Sequence, residues 1–261
     1  MAEESWTFFD TLKVLFGKGL RYSTVIDMGC ADGHFFVEHY LQGLFPDSVP
    51  LNLDANKLYE PSLKSIEDVF GGAYRIAAVS DQPGELQITT SVHPYWNSVR
   101  PTNDLYWDRL NKLSTGFDFV PAVRLDDVVA ELGLKPPYLI KLDVQGAEVQ
   151  ALRGAKKVLS ETSVIICEAD VMDFHDINAE ITDAGFDLFD ITTIARLRDQ
   201  SLGWFYPVYL HKSFDKIRLR QFWNESENEG LIKAQVNRRN MLLARLAEVL
   251  PQIKASRKPK A

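Results

Sequence analysis

Two closely spaced acids and two glycines follow the first strand-like apolar run of the sequence. The stretch VIDMGCADGHFF places Asp27 at the end of the run, Gly29 and Gly33 in the next loop, and Asp32 between the glycines. Glycine permits a tight turn and a close approach of the backbone to a ligand. Asp54 comes 21 residues after Gly33 (54 − 33), where an acid can accept hydrogen bonds from ribose hydroxyls. The spacing predicts a nucleoside ligand.

The acids of this loop help to distinguish between nucleoside ligands. Aligned from Gly29, a dinucleotide fingerprint falls on Gly29, Ala31 and His34, and His34 fails the last position, which must be small. Asp27 and Asp32 would also place negative charge near a pyrophosphate. S-adenosylmethionine carries a cationic sulfonium and an ammonium group and has no phosphate, so we expect it instead. The alternative is an ordinary strand–helix turn in which Asp32 caps the helix.

A second group of candidates follows two later apolar runs. Asp143 ends the run in PYLIKLDV, where a carboxylate could act as a base, orient an acceptor hydroxyl or hold an ammonium group. Strand alternation puts Lys141 on the same side, so an ion pair and a functional role are compatible. Glu168 and Asp170 end the next run and could join Asp143 in a magnesium site rich in oxygen ligands.

Histidines and aromatic residues are further candidates. His93 and His175 have a side chain suited to general-base work near neutral pH, although a loop histidine is more often simply solvated. Four aromatic residues between the third and fourth predicted strands could form a stacking wall for a sugar ring, or could pack as an ordinary loop. They are Tyr95, Trp96, Tyr106 and Trp107.

The elements that must position these groups alternate between strand and helix patterns. Strands are predicted for STVIDMG, SVPLNLD, YRIAAVS, PYLIKLDV and SVIICEAD. Helices are predicted for GHFFVEHYLQGL, NKLYEPSLKSIEDVF with an interruption at Pro61, GAEVQALRGAKKVLS and DFHDINAEITDAG. This alternation favours a mostly parallel sheet with helices on both faces. The last two runs, FDLFDIT and WFYPVYLHKS, predict an antiparallel pair at one edge.

Two regions break the alternation. Residues 81–124 form an inserted β and loop segment, and long loops of this kind are often lids or binding loops. The segment 216–261 is a predicted helical extension with a basic tail, appended to a domain over 1–215. Its apolar residues recur at helical spacing and would pack on the domain or on a second subunit in a homo-oligomer. They are Leu242, Leu246, Val249, Leu250 and Ile253.

Composition narrows the class of protein. The 261 residues are 46% hydrophobic and 25% charged, and the formal net charge of −7 argues against generic nucleic-acid binding. No apolar run is long enough to span a bilayer, and the acidic N-terminus is unlike a secretory signal. The chain has two cysteines, Cys30 and Cys167, and we expect both to be small buried residues without a disulfide framework. So few cysteines favour a cytoplasmic protein.

The segment LIKLDVQGAEVQALRGA resembles the signature of FkbM-type methyltransferases, in which Lys-Ile-Asp-Val-Glu-Gly-Ala-Glu follows the fourth strand. Leu142 is a mild change, and Gln145 replaces the usual glutamate. The segments VIDMGCADG, AAVSDQPGELQI and VRLDDVV are also similar to family segments, and the resemblance covers about 20–215. The matching residues of the signature are Lys141, Asp143, Val144, Gly146, Ala147 and Glu148.

The resemblance implies a Rossmann-like, doubly wound α/β fold and methyl transfer from S-adenosylmethionine, usually to a hydroxyl of a sugar, glycolipid or polyketide-type acceptor. The alternatives are a nucleotide-dependent oxidoreductase and a non-catalytic nucleoside-binding or scaffold protein. The predicted catalytic residues are Asp143, Lys141 and His175. The predicted cofactor-binding residues are Asp27, Gly29, Cys30, Ala31, Asp32, Gly33, Asp54, Ala78, Val79 and Asp143.

Overall fold

A mostly parallel sheet forms the centre of the first of two compact units, Met1–Asp215 and Lys216–Ala261. The computed structural model describes residues 6–101, 114–217 and 225–256. The strands of the first unit are β1 (Thr24–Met28), β2 (Val49–Asp54), β3 (Ala73–Ile76), β4 (Ala78–Val79), β5 (Gly84–Ser91), β6 (Ser114–Val123), β7 (Tyr138–Leu142), β8 (Thr162–Cys167), β9 (Ala169–Asp170), β10 (Phe186–Thr192) and β11 (Trp204–His211).

The main sheet has the strand order β10-β11-β8-β7-β1-β2-β3, with β9 beside β11. Strands β3, β2, β1, β7 and β8 are parallel, and β11 is antiparallel to both β8 and β10. The parallel sheet and the antiparallel pair at one edge confirm the predicted fold class. The order reverses between β1 and β7, and such a switch point opens a crevice at the carboxyl ends of the strands.

Seven helices are described in the first unit, and they precede, connect or follow the parallel strands. They are α1 (Phe8–Gly17), α2 (His34–Leu41), α3 (Glu60–Phe70), α4 (Leu125–Leu132), α5 (Glu148–Arg153), α6 (Lys156–Ser160) and α7 (Phe174–Asp183). All residues of β1, β7 and β8 are buried, as expected for parallel strands that are covered on both faces. Two ionisable side chains, Asp27 and Lys141, are buried within this apolar centre.

The inserted segment contributes a second sheet. Strand β6 pairs antiparallel with β5 and parallel with β4. The order of this sheet is therefore β4-β6-β5. The run YRIAAVS was predicted as one strand, but the chain leaves the main sheet after Ile76 and enters the second sheet at Ala78. The insertion is therefore anchored to the main sheet at the end of β3.

Two helix predictions differ from the structure in detail. Pro61 lies in the first turn of α3, where its missing N–H costs no helical hydrogen bond, so it does not interrupt the helix. The run GAEVQALRGAKKVLS forms two short helices, α5 and α6. The buried carboxylate of Asp126 accepts hydrogen bonds from the backbone N–H groups of Lys157 and Val158, both at 3.0 Å. Asp126 thus satisfies two backbone N–H groups in the first turn of α6.

The second unit contains the helix α8 (Glu225–Ser256). Its apolar side chains are exposed in the structure, among them Ile232, Val236, Leu242, Leu246 and Leu250. Association of two copies through this helix stays a prediction. Within the described parts of the chain, no helix combines the length and apolarity that crossing a membrane requires.

Candidate functional site

A cavity of about 340 Å³ lies at the carboxyl ends of the central strands. Its walls come from the loops after β1, β2, β7 and β8, from β4, and from the insertion. The volume falls in the range of small-molecule and cofactor sites. The polar residues that line it include His34, Glu38, Asp54, Asn56, Asn97, Ser98, Lys141, Asp143, Gln145, Glu168 and Tyr206.

The loop after β1 is tied to both neighbouring strands. The Gly29 N–H donates to the Leu53 carbonyl at 2.8 Å, and the Asp143 N–H donates to the Met28 carbonyl at 2.9 Å. Gly29 has a φ of +76°, and a Cβ atom there would lie 1.8 Å from the Asp143 carbonyl oxygen. Only glycine fits this crossing, so Gly29 sets how closely the first loop approaches Asp143.

Asp54 joins the first loop to the end of β2. Its Oδ2 accepts a hydrogen bond from the Ala31 N–H at 2.8 Å, and its Oδ1 accepts one from the Asn56 N–H at 2.7 Å. Burial raises the pKa of this carboxyl above its ordinary value, against the effect of the two N–H donors. Each carboxylate oxygen can accept a further bond, so Asp54 can serve the loop and a ligand hydroxyl together.

A buried lysine connects two of the predicted acids. Lys141 Nζ lies 3.4 Å from Asp27 Oδ1 and 3.3 Å from Asp143 Oδ2. Burial alone would lower the pKa of Lys141, but the carboxylates of Asp27 and Asp143 outweigh it and raise that pKa. Lys141 therefore stays charged and acts as the counter-ion of the site, which leaves it without the neutral amine that a base needs.

Asp143 and Glu168 form a carboxyl pair beside this lysine. Gln145 Nε2 donates to Asp143 Oδ1 at 2.7 Å and to Glu168 Oε2 at 2.6 Å. The Tyr206 hydroxyl lies 3.1 Å from Asp143 Oδ2 and 3.3 Å from Glu168 Oε1.

The two carboxyls of this pair have opposite pKa shifts. Burial and the charge of Asp143 raise the pKa of Glu168 well above its ordinary range. Burial alone would raise the pKa of Asp143. The charge of Lys141 and the hydrogen bonds with Glu168, Gln145 and Tyr206 outweigh burial and lower that pKa below its ordinary value. These opposite shifts favour a proton on Glu168 and an ionised Asp143 at the cavity.

The structure brings many of the predicted site residues to one cavity. Asp27 does not line it, because its side chain is buried beneath Lys141. Cys30 is also buried, and Gly33 lies against Ile66 of α3. Asp32 pairs with His34 at 2.7 Å outside the lining. The predicted residues that line the cavity are Gly29, Ala31, Asp54, Ala78, Val79, Lys141 and Asp143.

His175 is a correction to the predicted catalytic set. It lies exposed in the first turn of α7 and lines neither the main cavity nor the smaller one beside it. The helix faces its apolar residues Ile177 and Ile181 to the core, which turns His175 toward solvent. His93 packs on Trp96 in the insertion, with ring centroids 4.4 Å apart. Tyr106 and Trp107 lie outside the described residues.

A magnesium site is not supported. Within the described ranges, no group of three His, Cys, Asp or Glu side chains is arranged to hold a metal ion. Asp143 and Glu168 are bridged by Gln145 and Tyr206, and Asp170 Oδ1 accepts the Met172 N–H at 2.9 Å.

Two central residues of the site, Tyr206 and Gln145, were not predicted from the sequence. Tyr206 reaches the site from β11, whose neighbour β8 is distant in the chain, so only the sheet order reveals its position. Gln145 was noted only as a departure from a family pattern. It has a φ of +52°, an uncommon conformation for a residue with a side chain, which directs attention to the loop after β7.

The fold and the site together define an α/β protein with a cavity at the switch point of a doubly wound sheet. The family model described as "Methyltransferase FkbM domain" matches residues 56–188. The chain belongs to this methyltransferase family, as the segment around Asp143 predicted. The matched residues include Asp143 and Glu168 and begin after the first glycine loop.

Solved methyltransferase structures are similar to the chain at low identity. The FkbM methyltransferase of Methylobacillus flagellatus KT is 16% identical with a TM-score of 0.47, over 74% of this chain and 45% of that one. The precorrin-6y C5,15-methyltransferase of Geobacter metallireducens GS-15 is 11% identical with a TM-score of 0.41, over 78% and 88%. A putative O-methyltransferase from Klebsiella pneumoniae is 10% identical with a TM-score of 0.40, over 78% of each chain. No curated protein matches the chain.

Proposed function

We propose that the protein transfers the methyl group of S-adenosylmethionine to a hydroxyl oxygen of a small-molecule acceptor. The observation that carries this proposal is the Asp143 carboxyl, held by Lys141, Gln145 and Tyr206 in the same cavity as Asp54. The proposal places the enzyme in the cytoplasm, since Cys30 and Cys167 are free buried thiols, which a reducing compartment preserves.

The donor set of the cavity fits the cofactor. Asp54 would accept hydrogen bonds from the ribose hydroxyls, and the acidic lining suits a ligand with a sulfonium and an ammonium group. Lys141 is the one cation in the buried cluster, and two carboxylates neutralise it. A pyrophosphate would meet net negative charge here, which favours the methyl donor over a dinucleotide.

The residues around Asp143 can manage the proton of the reaction. S-adenosylmethionine, when bound, supplies an electrophilic methyl group and a thioether leaving group. An acceptor hydroxyl becomes strongly acidic as its oxygen gains the methyl group, so an ionised carboxylate of low pKa can take the proton. Lys141, Gln145 and Tyr206 hold Asp143 in that ionised state and fix its orientation.

Calorimetric titration and a turnover assay test this function. S-adenosylmethionine and S-adenosylhomocysteine should bind the full chain more tightly than NAD does, because the cavity charge disfavours a pyrophosphate. A panel of hydroxylated acceptors should then yield methylated product by mass spectrometry. Tighter binding of NAD would contradict the cofactor assignment and favour an oxidoreductase. Binding of the methyl donor with no product from any hydroxylated acceptor would contradict O-methylation.

A further inference from the structure

Two helices contribute one wall of the main cavity. Phe8 of α1 and His34, Phe35 and Glu38 of α2 line it, and these four residues form the helical wall. None of them belongs to the loops after β2 and β3, where the nucleoside contacts are predicted. The helical wall is therefore available to the part of S-adenosylmethionine that is not a nucleoside, which is its amino-acid arm.

Aromatic contacts connect the helical wall to the carboxyl pair. The Tyr206 hydroxyl lies 3.1 Å from Asp143 Oδ2, and the Phe8 ring packs on Tyr206 with ring centroids 5.0 Å apart. Phe8 also packs on Phe35, with centroids 6.0 Å apart. Glu38 follows Phe35 by three residues on α2, so the two side chains are neighbours on the helix surface. The wall thus leads from Asp143 to Glu38.

Glu38 differs from the other acids that line the main cavity. Asp54 accepts two backbone N–H groups, and Gln145 bridges Asp143 and Glu168. Glu38 is exposed, and within the described part of the chain no hydrogen bond or ion pair holds its carboxylate. This carboxylate can therefore accept hydrogen bonds from a ligand without losing a contact of the fold.

The histidines beside Glu38 have other partners. His34 Nδ1 lies 2.7 Å from Asp32 Oδ1, and His39 Nδ1 lies 2.5 Å from the Phe35 carbonyl oxygen. Burial lowers the pKa of His39 below its ordinary value, which favours the neutral imidazole. Neither contact involves the carboxylate of Glu38.

The amino-acid arm of the cofactor carries an ammonium group at the end of a short aliphatic chain. Aromatic rings such as those of Phe8 and Phe35 provide apolar surface for the chain. The ammonium group is a donor without acceptor capacity, and a carboxylate both attracts its charge and accepts its N–H groups. The helical wall offers these two kinds of contact in the order that the arm requires.

We propose that Glu38 binds the ammonium group of the methionine moiety and that Phe8 and Phe35 contact its aliphatic chain. The inference rests on the proposed function, because it takes S-adenosylmethionine as the cofactor, and it adds the contact for the amino-acid arm. It leaves the carboxylate of Asp143 to the acceptor hydroxyl.

Nucleosides that differ only in this arm test the contact. S-adenosylhomocysteine, its analogue without the amino group and 5′-methylthioadenosine are titrated by calorimetry into the full chain and into Glu38→Gln. The parent should bind S-adenosylhomocysteine about three- to tenfold more tightly than the deamino analogue, the scale of a charge-assisted contact at a partly exposed site. Glu38→Gln should remove most of that preference and leave the affinity for methylthioadenosine unchanged.

Glu161→Gln is the matched control, because this glutamate is exposed and lines neither cavity, and it should keep the parental preference. Equal losses for S-adenosylhomocysteine and the deamino analogue in Glu38→Gln, or no loss for either, would overturn the inference. Loss of the preference in Asp143→Asn but not in Glu38→Gln would also overturn it, because Asp143 would then hold the ammonium group.

The titrations and the turnover assay separate this inference from the proposed function. Loss of the amine preference in Glu38→Gln, with no methylated product from any hydroxylated acceptor, would support the contact and contradict O-methylation. Methylated product together with an unchanged preference in Glu38→Gln would support methyl transfer and overturn the contact. Tighter binding of NAD than of S-adenosylhomocysteine by the parent would contradict both.

Discussion

At the scale of single residues, the site depends on which of two neighbouring carboxyls holds the proton. Lys141 lies 3.3 Å from Asp143, whereas Glu168 is buried and faces the charge of Asp143. Gln145 donates one hydrogen bond to each. A glutamate at this position, as in the family signature, would bring a third carboxyl into contact with the pair. The glutamine amide avoids that repulsion and supplies donors to both acids.

Asp143→Asn tests the role of the ionised carboxyl. The variant keeps the shape of the side chain and removes its charge, so kcat should fall by roughly 10²–10⁴, the scale of general-base catalysis. The affinity for S-adenosylmethionine, measured by calorimetry, should change far less. If affinity falls first and saturating cofactor restores the rate, Asp143 holds the methionine ammonium. A folded variant with parental affinity and rate would contradict both roles.

Asp54→Ala tests the ribose assignment. Loss of a hydrogen bond from a charged acceptor should weaken S-adenosylmethionine binding by about tenfold or more. Because Asp54 also holds the Ala31 N–H, Asp54→Asn serves as the partner variant that keeps an acceptor oxygen and should lose less. Parental affinity in both variants, measured by calorimetry on folded protein, would refute the assignment.

At the scale of elements, the parallel strands were predictable because they are continuous apolar runs that are buried on both faces. Strand β6 was missed because only Val120 and Ala122 of its ten residues are buried, and its pairing with β5 stabilises it. Helix α1 was missed although a local signal exists. Thr7 and Asp10 form a capping box there, with the Thr7 N–H donating to Asp10 Oδ2 at 3.1 Å.

The site was predictable only where its residues follow strand ends. Asp54 and Asp143 could be placed because the carboxyl ends of parallel strands meet at one edge. Tyr206 could not, since it lies on an antiparallel strand whose pairing with β8 is not evident from local sequence. His175 was wrongly expected at the site, because the first turn of a helix can face solvent even when the preceding strand ends at the cavity.

Trp96→Ala tests the contribution of the insertion. The indole lines both cavities, and its removal should raise KM for the acceptor by about tenfold, the scale of one lost aromatic anchor contact. Cofactor affinity should change less, because the loops after β1 and β2 provide the predicted nucleoside contacts. The control is Val92→Ala, an exposed position of the same insertion. A collapse of cofactor affinity with intact acceptor kinetics would assign the insertion to the cofactor.

At the scale of the whole molecule, the buried acids of the site make the stability of the fold depend on pH. Burial raises the pKa of Asp27, Asp54, Glu148 and Glu168 in the folded protein. An acid with a raised pKa keeps its proton in the folded chain at a pH where the unfolded chain has lost it. The folded state then binds more protons than the unfolded state, so the free energy of unfolding falls as the pH rises.

Glu168→Gln should weaken that pH dependence. The relevant window starts at the ordinary pKa of glutamate, about 4.3, and extends up to the raised pKa of folded Glu168. Within this window the folded state binds one more proton than the unfolded state. The free energy of unfolding therefore falls by up to about 1.4 kcal/mol for each unit of rising pH. The glutamine amide can still donate to Asp143 but does not titrate. The free energy of unfolding of the variant, measured with urea, should therefore fall less steeply with pH above about pH 5.

Glu131→Gln, at an exposed position, is the control and should keep the parental slope. Equal slopes for Glu168→Gln and the parent would show that Glu168 is ionised in the folded protein, and the proton of the carboxyl pair would then have to be assigned elsewhere.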